Sequence, residues 1–226
     1  MSTSSGISQE RIAELIRIRD ENARRSGRQP GQMDLGAECL VFRRHPETGR
    51  HADLLRWGLV PNWAADQATA HQYARAETIT ELPSFKESFE RRRCIFPSSE
   101  FVQHRTIGSP KGQAIAFGMA DGSQLFAAGI WDAWRDAGRG EWVRTFAIIT
   151  VDSNDMMGSV HDRMPALLRR DQFPAWFGEV PASQEDLLAM LRPFPADSMT
   201  CWPARSKRPP LVQQRPREAD LFAARR

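Results

Sequence analysis

Two linked segments, Thr145-Phe-Ala-Ile-Ile-Thr-Val151 and His161-Asp-Arg-Met-Pro165, anchor any reading of this chain. The first is its most strand-like run, apolar and rich in β-branched residues, and polar Asp152, Ser153, Asn154 and Asp155 follow it. A buried strand leading into a turn or helix start is the expected structure. His161, Asp162 and Arg163 then fall where a core strand opens to solvent. Such a place suits a titratable group, because the strand fixes its position while one side stays accessible. Taken alone, the pair His161 and Asp162 reads first as a solvated or structurally paired histidine.

The surrounding 226 residues are 41% apolar and 26% charged, the composition of a soluble globular protein with a sizeable core, and one domain is expected. No run approaches the roughly 18 apolar residues of a membrane helix, and Met-Ser-Thr-Ser-Ser-Gly lacks the parts of a signal peptide. A cytoplasmic protein without a membrane partner is expected. Cys39, Cys94 and Cys201 are isolated, so buried free thiols are expected rather than a disulfide framework or a zinc site. No metal or cofactor is called for, and a monomer is favoured.

The net charge of +3 is uneven: from Arg205 to Arg226, seven Lys/Arg face two acids, which leaves the rest slightly negative. Residues 1–204 are therefore expected to form the domain and 205–226 a basic, Pro-rich tail. Arg91-Arg92-Arg93 and Arg24-Arg25 with Arg28 are clusters that can hold phosphates and are also ordinary solvated faces.

Ser8 to Arg25 has the spacing of an amphipathic helix capped by Ser8. Strands are predicted at Glu38 to Arg43, from Leu54 towards Trp63, at Cys94 to Pro97 and at Met199 to Trp202. Ala114 to Met119 and Leu125 to Trp134 read as a hairpin around Asp121-Gly122. Ser84 to Arg93 reads as a helix with a capping box of Ser84 and Glu87, and short helices are expected at Phe173 to Phe177 and Glu185 to Leu191. Many strands with few long helices indicate an α+β, mainly β domain with short flanking helices. Trp57 is expected in the core. Trp63, beyond Pro61 in a polar loop, is the candidate platform for stacking bases.

Four pieces stand in one order: Trp57-Gly-Leu-Val-Pro-Asn-Trp63, Ala74-Arg-Ala-Glu-Thr78 with Pro83-Ser-Phe85, Arg92-Arg-Cys-Ile-Phe-Pro97, and Thr145 to Val151 with His161 to Pro165. Over roughly residues 54–180 this order resembles the SRAP family, the SOS response-associated peptidases also called abasic-site processing proteins. The resemblance implies a single compact β-rich domain that binds single-stranded DNA at abasic sites. It further implies a cysteine after the initiator Met, whose amine attacks the sugar aldehyde to give a Schiff base and whose thiol closes a thiazolidine. An Asn, a Glu and the His of the His-Asp-Arg-Met-Pro segment support that chemistry, and removal of the initiator Met is attributed to the same site.

Carried over residue by residue, the pattern changes at three positions. Ser2 stands for the cysteine, Tyr73 for the Asn and Gln103 for the Glu, whereas His161 and Arg75 remain. Ser2 keeps an α-amine once Met1 is gone, but its hydroxyl closes a ring far less readily than a thiol. Gln103 hydrogen-bonds but cannot carry a proton. Glu100 and His104 flank the lost acid, yet a one-residue shift in a strand turns a side chain to the opposite face. Arg75 and Arg163 are candidate phosphate contacts, Asn62 and Trp63 candidate DNA contacts, and Glu77 an expected partner for one of the arginines.

Overall fold

In the computed structural model, which describes residues 8–27, 33–45, 47–108, 110, 112–138 and 140–204, the predicted Thr145 strand belongs to a twelve-residue strand, β8 (Glu141–Asp152). Most of the main sheet meets on it. β7 (Leu125–Asp136) lies antiparallel along its first part, and the path continues through β4 (Arg93–Ser98) and β1 (Glu38–His45) to β2 (Gly49–Trp57). The end of β2 then runs parallel to β8, with Arg56 opposite Thr145 and Trp57 opposite Phe146, which closes a five-stranded barrel. Two short strands extend the far end of β8: β3 (Tyr73–Arg75) in parallel and β9 (Arg163–Pro165) antiparallel.

Register puts Val41, Leu55, Cys94 and Phe146 on one face of the barrel strands, and none of the four has exposed surface. Phe96 stacks on Phe146 from a strand that is not its neighbour, at 5.9 Å between ring centroids, so this face is the interior. Gly129 lies here too; a Cβ added to it would come 3.0 Å from Cys94 Sγ and from the Ala147 carbonyl. The helix α1 (Gln9–Arg25) starts where Ser8 Oγ accepts from the Arg11 amide at 3.2 Å, and packs its Leu15 side against the barrel.

Three expectations are corrected. Ala114 to Met119 and Leu125 to Trp134 do not pair. The first is β6 (Ala114–Met119), in a second sheet between β5 (Phe101–His104) and β10 (Met199–Pro203). The Asp121-Gly122 turn is present, with Gly122 at φ +77°, but the same turn serves a hairpin or a crossing between sheets. The predicted capping box at Ser84 is absent: the helix, α2 (Lys86–Arg91), has Phe85 at its N-cap with no side-chain cap, and Glu87 pairs with Arg92. Cys39 and Cys94 are buried, but Cys201, on the strand β10, is exposed.

Candidate functional site

Of the predicted site residues, Tyr73, Arg75, Glu77, His161 and Arg163 gather around the C-terminal part of β8. Tyr73 lies opposite Ile148 and Arg75 opposite Thr150, while on the other side Arg163 lies opposite Asp152 and Pro165 opposite Thr150. Because strand side chains alternate, Tyr73, Arg75, Thr150, Asp152 and Arg163 share one face. Tyr73 and Arg75 are exposed there, and Ala74 between them is fully buried.

Arg163 is held from inside the fold. Its guanidinium donates to both Glu77 oxygens at 2.9 Å, to Asp152 at 2.6 Å and to the Thr150 carbonyl at 2.7 Å, and its side chain is only 16% exposed. Arg163 is thus the partner of Glu77, and its hydrogen bonds hold that carboxyl below the usual glutamate range. The Arg163 amide donates to His161 Nδ1 at 3.0 Å, which orients the ring and gives Nδ1 the acceptor role. Asp162 Oδ1, 3.1 Å from the same nitrogen, can receive a hydrogen bond from it only in a form of the imidazole that carries a proton on Nδ1.

Tyr73 meets Trp57 edge to face, with ring centroids 5.5 Å apart, and the Trp57 indole N–H donates to the Gln72 carbonyl at 3.0 Å. An aromatic pair thus occupies this end of the sheet, at the position for which the sequence resemblance implied an Asn. Tyr73 is 46% exposed, and partial burial raises the pKa of its phenol. Trp57, buried as expected, also walls a cleft of about 1030 Å³ between α1 and the barrel, which Cys39, Arg25 and Arg56 line as well. The thiol of Cys39 is pushed up to about 12 by burial.

Gln103 lies on β5, where Phe101 and Gln103 are half-buried and Val102 and His104 exposed. That alternation turns His104 away from the Gln103 face. The end of β5 is tied to the residues just before His161: Arg105 donates to the Ser159 carbonyl at 2.7 Å and the Thr106 amide to Val160 at 2.8 Å. The backbone therefore brings the Gln103 strand to the His161 segment. Ser2, Arg28 and the tail 205–226 lie outside the described residues.

Trp63 is 59% exposed, and the loop beneath it is pinned. The Val60 amide donates to Thr145 Oγ1 at 2.9 Å, the Asn62 amide to Asp132 at 3.0 Å, and the Trp134 indole to the Ala64 carbonyl at 2.7 Å. Asn62 is an anchor of this loop. The Arg91-Arg92-Arg93 cluster is dispersed: Arg92 turns to Glu87 and Asp132, and Arg93 donates to the Trp176, Phe89 and Glu90 carbonyls. Sequence reasoning missed Asp132, although a lone carboxylate inside the apolar run Leu125 to Trp134 was a usable signal. Among the described residues, no group of three or more His, Cys, Asp or Glu is placed to hold a metal, and no helix is long and apolar enough to cross a membrane.

A family model described as SOS response associated peptidase (SRAP) matches residues 3–207. The chain belongs to this family. Among SRAP relatives, the abasic site processing protein YoaM of Bacillus subtilis is 33% identical over 154 residues, 67% of each chain. The abasic site processing protein HMCES of Xenopus tropicalis is 32% identical over 165 residues, 62% of this chain and 49% of its own. A solved structure of a protein from Bacteroides thetaiotaomicron superposes with a TM-score of 0.67 at 27% identity, covering 81% of this chain and 87% of that one. A second, from Bordetella bronchiseptica, gives 0.66 at 27% identity over 76% and 86%. The α+β, mainly β fold of this SRAP chain is thus shared with both solved structures.

Proposed function

We propose that this SRAP chain recognises abasic sites in single-stranded DNA and links to them at most weakly and reversibly, as a Schiff base through the N-terminal amine of Ser2. The observation that carries this reading is the register placing Tyr73 and Arg75 on one exposed face beside the Arg163 and His161 segment, in a chain whose relatives are named abasic site processing proteins. Arg75 offers a guanidinium to a phosphate. The neutral amine adds to the aldehyde of the ring-opened sugar and water leaves, giving the imine. His161, oriented through Nδ1, assists the proton transfers, and Gln103 cannot. With a hydroxyl in place of a thiol, the imine hydrolyses back. On this reading the working form is a cytoplasmic monomer that needs neither metal nor cofactor.

Borohydride reduction in the presence of a single-stranded abasic oligonucleotide tests the reading. A covalent adduct is expected with borohydride, and it should vanish when the α-amine is blocked. Absence of any adduct, or an adduct indifferent to the amine, defeats it.

A second reading, a non-catalytic single-stranded DNA-binding or regulatory protein, is supported by the exposed Trp63 and by the amide at Gln103. It expects affinity for undamaged oligonucleotides that falls steeply with salt and weakens on Arg75→Ala and Trp63→Ala. Absent or salt-insensitive binding counts against it.

A further inference from the structure

Trp63 stands on the loop after β2, and the residue before it, Asn62, is bonded to the first of two carboxylates joined by one arginine. Asp132 Oδ2 accepts the Asn62 amide at 3.0 Å, and its Oδ1 accepts the Ala133 amide at 2.8 Å. Arg92 first, and the nearby Asn62 side chain after it, hold the Glu87 carboxyl below the usual glutamate range. Arg92 bridges the two acids: Nη1 donates to Glu87 Oε1 at 3.0 Å, and Nε lies 3.3 Å from Asp132 Oδ1, an ionic contact rather than an aligned hydrogen bond. Asn62 is therefore held through its backbone amide, immediately before the exposed tryptophan, and Arg92 ties the carboxylate that holds it to Glu87. Asp132 itself is 4% exposed. A carboxylate in that position is costly unless its partners stay in place, so it favours one loop conformation over the alternatives.

An exposed aromatic on a mobile loop must be ordered when a base stacks on it, and that ordering subtracts from affinity. Held in advance, the same ring offers its face at no such cost. We infer that Asp132 is a positioning residue for single-stranded DNA binding, acting with Glu87 and Arg92 by fixing the Trp63 loop. The inference rests on the reading of Trp63 as a surface on which nucleobases stack. Asp132 touches no DNA on this account. Its effect passes through Asn62 to Trp63.

A double-mutant cycle on an oligothymidylate, read by fluorescence anisotropy, tests it. Trp63→Ala should weaken binding roughly 5- to 150-fold, the range of one lost base stack. Asp132→Ala should weaken binding by a part of that, and nothing further when added to Trp63→Ala. Glu87→Gln, at a half-exposed position, supplies the same comparison if Asp132→Ala does not fold. In protein labelled with 5-fluorotryptophan, the fluorine resonance assigned to Trp63 by its loss in Trp63→Ala should shift or broaden in Asp132→Ala or Glu87→Gln without DNA. A position that matters only for stability lowers Tm but leaves that resonance and the affinity of the folded protein unchanged. Equal losses from Asp132→Ala with and without Trp63, or an unmoved resonance, overturn the positioning role while stacking on Trp63 stands. If Trp63→Ala binds as tightly as the parent protein, stacking itself falls and the positioning role falls with it.

Discussion

Arg163 shows how one side chain fixes several others. It joins Glu77, Asp152 and the Thr150 carbonyl on its guanidinium and orients His161 through its amide. Because Glu77 titrates below its ordinary value in the fold, its contribution to stability is complete above the unfolded carboxylate pKa of about 4.3 and is lost as pH falls through the lower folded value. Glu77→Gln should therefore lower Tm at neutral pH, and the two Tm curves should converge below about pH 4. Parallel curves across that window would show that the pair contributes nothing. Ser2→Cys addresses the proposed chemistry. With a thiol beside the amine, the adduct with an abasic oligonucleotide should survive heating without borohydride, as a denaturing gel would show, whereas the parent adduct should not. His161 and Arg75 were legible in the sequence as members of a motif. The direction of Arg163 was not, because a motif gives residue types and leaves open whether a guanidinium faces a ligand or a neighbouring carboxylate.

Among the elements, β8 carries both the core and the site. Its apolar run was legible because β-branched residues and a polar stop mark a buried strand in any context. Its four partners were not, since pairing between strands far apart in sequence leaves no local signature. The Asp121-Gly122 turn makes the same point: its chemistry fixes the bend, while the partners of β6 are chosen by the apolar faces of β5 and β10. Inside the barrel, Gly129 permits the close approach of β4, β7 and β8. Gly129→Val should cost about 1–3 kcal/mol through overpacking, measurable by denaturant unfolding. An unchanged midpoint would mean that Cys94 and β8 can move aside.

Over the whole molecule, the placement of the three cysteines gives a direct check on the architecture. In the native protein a thiol reagent should modify Cys201 quickly and leave Cys39 and Cys94 untouched, and all three should react once the protein is unfolded, as mass spectrometry would count. Early reaction of Cys94 would mean that the barrel opens. Fold class was legible because strand signals outnumber helices; closure was not, because it depends on two register pairs between strands about 90 residues apart. That closing seam has a consequence for biosynthesis. The nascent chain makes β1, β2 and β4 long before β7 and β8 exist, so the growing polypeptide carries unpaired strand edges until the second half of the domain has emerged. Slow translation between residues 98 and 141 would prolong that exposure, and chaperone dependence should track the time the ribosome spends there.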